Sequence, residues 1–161
     1  MMRRPEGHTL PELLIAAALL AVVMPLLFGA ASGQQARLGV ESTLRRLAFG
    51  LEMGRVVALR QGSPCVLALE GGSWQAPGAA SLPGCAGAEL SLEEGVVPAG
   101  VEVEHNLPAL VRFSSNGLVL DGGTLVVRAE GTAVARCLVI SPPLGVVRLG
   151  RYEASTCLPE S

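Results

Sequence analysis

The chain has 161 residues, half of them hydrophobic, with 12 basic and 14 acidic side chains and a net charge of −2. That balance excludes a global attraction to nucleic acid, and the length leaves room for one modest core beyond an apolar N-terminal segment. Every basic residue is an arginine, which is read first as genomic composition and only then as selection for forked donors.

Residues 1 to 7 carry Arg3 and Arg4, have no hydrophobic core and end in Gly7. After His8-Thr9-Leu10-Pro11-Glu12, the run from Leu13 to Ala31 holds no charge and is long enough, at about 1.5 Å per residue, to cross the roughly 30 Å of a bilayer as a helix. A secretory signal places its cleavage site after the apolar region, whereas here the cleavage point lies before it. Arginines on the leader side, with none following until Arg37, predict a cytoplasmic N-terminus and an exported C-terminal domain. Pro11 is tolerated in a first helical turn, while Pro25 is expected to kink or loosen the helix, with Gly29, Gly33 and Gly39 extending the soft region.

The leader, Gly7, the apolar run and Glu12 together resemble the class III signal of type IV prepilins and pseudopilins. The resemblance implies cleavage by a prepilin peptidase between Gly7 and His8 and N-methylation of His8, where the family most often has phenylalanine. It also implies that Glu12, at mature position five, pairs with the protonated N-terminal amine of a neighbouring subunit as helices pack into a filament. A charge in an apolar bundle is costly unless paired, so such a pair would reward correct axial register. The simpler alternative is a carboxylate that only favours the positive end of the helix dipole.

Beyond the anchor, Val40, Leu44, Leu47, Leu51 and Ala58 recur at helical spacing while Glu41, Arg45, Glu52 and Arg55 take other faces. Residues 34 to 61 therefore read as an amphipathic helix, stopped by Gly62 and Pro64. Strand candidates follow at Cys65 to Leu69, Val101 to Glu104, Leu110 to Phe113, Leu118 to Leu120, Thr124 to Ala129, Val134 to Ile140 and Val146 to Leu149, separated by glycine-rich turns such as Ser114-Ser115-Asn116-Gly117. Residues 75 to 100 are rich in Pro, Gly and Ala and read as a long surface loop with at most one short strand. The expected fold is α+β and type IV pilin-like: a long N-terminal helix packed on an antiparallel β-domain of hairpins. Its organisation is a leader at 1–7, a transmembrane and assembly helix at 8–33, and an extracytoplasmic globular domain at 34–161, with the helix to 61 and β-structure over 64–157.

Four cysteines, Cys65, Cys85, Cys137 and Cys157, lack CxxC spacing, and the only histidines are His8 and His105, so no metal site is expected. An even number in an oxidising compartment favours disulfides, with three pairings open. Cys65 with Cys85 and Cys137 with Cys157 is favoured, because each bond would tie a strand to the loop or tail that follows it.

Arg60-Gln61-Gly62, Trp74, Val111-Arg112-Phe113-Ser114-Ser115-Asn116-Gly117, Arg136-Cys137-Leu138-Val139-Ile140-Ser141 and Gly145-Val146-Val147-Arg148 together are similar to the FimT/GspH pseudopilins. Some FimT-like minor pilins bind DNA through a basic C-terminal motif. Here Val146 stands where its first arginine would be, while Arg148 is retained and Arg151 lies nearby. Those two arginines are the candidate DNA contacts, set against a solvated strand edge as the favoured reading. Trp74 reads as a core or loop anchor. No catalytic site, cofactor or phosphate cradle is indicated: Asp121 and the glutamates have no histidine partner, and the serines sit in turns. The function implied is that of a minor pilin or pseudopilin in a type IV pilus, competence pilus or type II secretion filament. Its partners would be prepilin peptidase, other pilin subunits, an inner-membrane assembly platform and membrane lipid. A DNA-uptake receptor and a major pilin are the alternatives.

Overall fold

Thr9 opens the first helix: its carbonyl accepts the N–H groups of Glu12 at 3.0 Å and Leu13 at 3.2 Å. Pro11 costs nothing there, because N–H groups of a first turn have no intrahelical partner. In the computed structural model, which describes residues 9–77, 80–87 and 98–159, this helix, α1, runs from Leu10 to Gln61. Its assignment is unbroken at Pro25 and through positions 24–32, whose side chains are outside the description. The expected leader and the Gly7-His8 junction also lie outside the described residues. Gly62, at φ 60°, ends the helix in the left-handed conformation that a C-terminal cap requires. The chain forms two compact units, Met1–Gln35 and Ala36–Ser161.

In the second unit the predicted stripe is the buried face of α1: Val40, Leu44, Leu47, Leu51 and Ala58 are all at most 2% exposed. It packs into one core with Leu67, Trp74, Phe113, Leu125, Val127, Leu138 and Ile140. Two helical glycines allow the close approach. A Cβ on Gly50 would run into the Trp74 indole, and one on Gly54 would lie 2.7 Å from Phe113 and 2.9 Å from Leu67. Trp74 is an anchor in this core, its Nε1–H donating to the Leu47 carbonyl at 2.8 Å.

Among the described residues eight strands follow, β1 (Cys65–Glu70), β2 (Ser73–Gln75), β3 (Val101–His105), β4 (Val111–Phe113), β5 (Gly123–Ala129), β6 (Ala135–Ser141), β7 (Val146–Glu153) and β8 (Thr156–Pro159). They make a three-stranded sheet, β2-β1-β4, and a five-stranded sheet, β3-β5-β6-β7-β8, every pairing antiparallel. The α+β class is therefore as expected, with the hairpins divided between two sheets.

Three differences from the sequence reading have local causes. Leu118 to Leu120 is not a strand but a single bridge, Val119 to Phe113. The Val119 N–H is bonded to the Pro143 carbonyl at 2.9 Å, outside any strand, so no ladder extends from it. Strand β2 lies just past Gly71-Gly72, whose positive φ values of 57° and 78° make the tight hairpin turn that the sequence reading took as an end only. Strand β7 continues to Glu153 because β8 supplies a partner for Gly150 to Glu153. The turn between them holds Ala154 and Ser155 at φ 46° and 64°, residues that give no glycine signal.

Candidate functional site

Two features carry functional chemistry, one in each unit. In the first, Glu12 sits in the opening turn of α1, exposed, and it is the only charged side chain from Leu10 to Val23. Around it Leu10, Leu13, Leu14, Ile15, Leu19, Leu20, Val22 and Val23 are all exposed. A contiguous apolar surface of this kind marks a site of contact with a membrane or with other protein. Among the described residues no helix is long and apolar enough to cross a membrane; of the run predicted from Leu13 to Ala31, the described side chains end at Val23.

In the second unit, the register of β6 with β7 separates the two arginines that are the candidate DNA contacts. Arg148 lies opposite Val139, whereas Arg151 lies opposite Arg136. Successive residues of a strand point to opposite faces, so positions 148 and 151, three apart, look in opposite directions. Arg148 is on the outer face. Arg151 ends the core-facing row formed with β6, in which Ile140 pairs with Val147, Leu138 with Leu149 and Arg136 with Arg151. As that row leaves the core it meets the start of the helix in the same unit. There Arg37, Arg45, Arg136 and Arg151, with Glu41, Glu153 and Leu38, line a recess of about 550 Å³. The sequence reading placed Arg37 after the apolar run, Arg45 on the polar helix face and Arg136 in a strand motif, but named none of them as a site residue. The i, i+4, i+8 spacing of Arg37, Glu41 and Arg45 could have placed three of the lining residues on one helix face, but nothing local connects them to β6 and β7.

The remaining polar features are structural. Asp121 clasps Arg112 on β4: its Oδ2 accepts from Arg112 Nε at 2.8 Å and from the backbone N–H at 2.9 Å, and its Oδ1 accepts from Nη2 at 2.8 Å. The side-chain hydrogen bond from Arg112 holds the Asp121 carboxyl below the usual carboxylate range, against the opposing effect of burial, and Asp121 holds the Arg112 guanidinium above its ordinary value. Arg55, reaching from α1, donates to the Gly117 carbonyl at 3.1 Å and fixes the turn at the other end of the same loop. Cys65 is bonded to Cys85, and Cys137 to Cys157. His105 is exposed at the end of β3. Among the described residues no group of three His, Cys, Asp or Glu side chains is placed to hold a metal ion.

A family model described as type II transport protein GspH matches residues 43–144. The chain belongs to the GspH family. No curated protein and no solved structure matches the chain. Membership places it among the pseudopilins and minor pilins of type II secretion. The GspH match begins within α1 and ends in the turn before β7, so it spans the buried helix stripe from Leu44 onward, the three-stranded sheet and β3, β5 and β6 of the larger one. Glu12 lies before the GspH region and the β7 arginines after it. Of the residues that line the recess, Arg45 and Arg136 lie inside the matched region and Arg37 and Arg151 outside it.

Proposed function

We propose that the chain is a minor pseudopilin, a structural subunit of a type II secretion filament. In this reading prepilin peptidase cuts between Gly7 and His8 and methylates the new amine. The run from Leu13 to Ala31 then holds the subunit in the inner membrane, N-terminus in the cytoplasm and β-domain in the periplasm, until the assembly platform draws it into the filament. The observation that supports this best is the pairing of one carboxylate, Glu12, with a helix that exposes apolar side chains around it. Among packed copies of such a helix that carboxylate needs a cation, and the amine of a neighbouring subunit's cleaved N-terminus is one that assembly itself supplies.

Replacing Glu12 by Ala tests the reading. Membrane insertion and cleavage should persist, measured by fractionation and by the mass of the N-terminus, while the amount of subunit in sheared filaments falls several-fold. Normal incorporation of the variant would refute the pairing. The DNA-receptor alternative loses support from the divergence of Arg148 and Arg151, which cannot grip one phosphate from opposite faces of β7.

A further inference from the structure

The recess at the end of the core concentrates positive charge in a chain whose total charge is negative. Among the described residues four arginines and two glutamates line it, a balance of +2 from those side chains against −2 for the whole sequence. Arg136 and Arg151 are direct cross-strand partners, so two like charges stand side by side at its strand wall. Glu41 bonds Arg45 at 2.9 Å, and Glu153 lies 3.9 Å from Arg151, too far for a hydrogen bond. Leu38, 70% exposed, leaves an apolar wall at the same place.

We infer that this recess is a docking site for an acidic peptide segment, one carrying two or more closely spaced carboxylates, on a partner subunit. The arginine fork matches a carboxylate in bidentate geometry. Arginines from two elements, α1 and the β6–β7 pair, converge on the recess, so neighbouring carboxylates of one segment find separate partners. A volume of about 550 Å³ suits a few amino-acid side chains, and Leu38 gives their methylene groups a dry surface. Duplex DNA fits less well. Its phosphates are spread along a rigid surface that cannot enter a recess, and Glu41 and Glu153 would face them. That the segment belongs to a filament neighbour rests on the proposed role of the chain; the chemistry of the recess does not.

The test uses the full chain in detergent micelles and fluorescein-labelled hexaglutamate, with hexaglutamine and a short DNA duplex as comparisons. Hexaglutamate should bind at low salt, about 50 mM, and weaken several-fold as salt rises to about 300 mM, since exposed charges are screened over a Debye length. Hexaglutamine should not bind. Arg136→Gln with Arg151→Gln should weaken hexaglutamate roughly tenfold or more, and so should Arg37→Gln with Arg45→Gln, a pair confined to the helix that keeps the test valid if the strand variant misfolds. Arg148→Gln, on the opposite face, should change nothing. Absence of hexaglutamate binding at low salt, an equal loss in Arg148→Gln, or tighter binding of DNA that the same variants abolish would each overturn the assignment. Filament incorporation is not read in this experiment, so failure here is distinct from failure of the Glu12 variant.

Discussion

Replacing Gly50 by Ala should destabilise the β-domain although alanine is the better helix former. The substitution gains about 1 kcal/mol from helix propensity. Against that, the new methyl meets the Trp74 indole, with Nε1 at 2.9 Å and Cγ at 3.0 Å and Cδ1 closer still. The indole is buried and held by its bond to the Leu47 carbonyl at 2.8 Å, so it moves only by giving up that bond. Overpacking of this kind costs about 1–3 kcal/mol, and a buried N–H left without a partner about 1–3 kcal/mol more, which leaves a net loss of about 1–5 kcal/mol. Two other glycines on the same helix give the expectation a gradient. At Gly54 the new methyl meets the ends of Phe113 and Leu67, which can give, so the penalty should be smaller. At Gly39 the nearest atom is Val101 Cγ2 at 3.3 Å, and the change should be close to neutral. Urea unfolding of the full chain in micelles, followed through Trp74, the single tryptophan, measures all three. A Gly50→Ala variant as stable as the parent, or Gly39→Ala as the most damaging of the set, would refute the account of how helix and sheet approach.

Because the Arg112 clasp depresses the Asp121 carboxyl in the folded state, its contribution is complete above the ordinary value near 3.8 and is lost as pH falls through the lower folded value. Asp121→Asn should therefore be slightly less stable at neutral pH and should lose stability less steeply below about pH 4, as read by unfolding midpoints across pH; identical pH profiles would count against the clasp. Each disulfide closes a loop with a sequence separation of 20. Replacing Cys137 and Cys157 together by Ser should cost about 3 kcal/mol and open the Ala154-Ser155 turn to protease, with thermal melts and limited proteolysis as the measurements. Unaltered cleavage at that turn would mean β8 is held by its ladder alone.

Much of the helix was legible from residue order. The spacing of Val40, Leu44, Leu47, Leu51 and Ala58 predicts a buried face, and those five residues form it. Gly62, with its positive φ, stops α1 where the pattern says it should. Glu12 was visible because a single charge interrupts a composition that is otherwise apolar. The strands were located less completely. Gly71-Gly72 was recognised as a stop but not as the turn into β2, and the turn at Ala154-Ser155 carries no residue type that announces it. The strand expected at Val146 to Leu149 stops short of Arg151, so its position on a face of β7 does not follow from the sequence.

By itself, then, the sequence determined the helix, its buried stripe, the turn-rich β-region and the carboxylate at the head of the apolar run, because each depends on neighbours within a few residues. Only the tertiary structure decided what the arginines do. Arg151 meets Arg136 through strand pairing and Arg37 and Arg45 through helix packing, at separations of 15 to 114 positions along the chain. Side chains alternate with period two along a strand, so extending β7 past Leu149 sends Arg148 to one face and Arg151 to the other, and that extension is held by β6 as far as Arg151 and by β8 from Gly150 to Glu153.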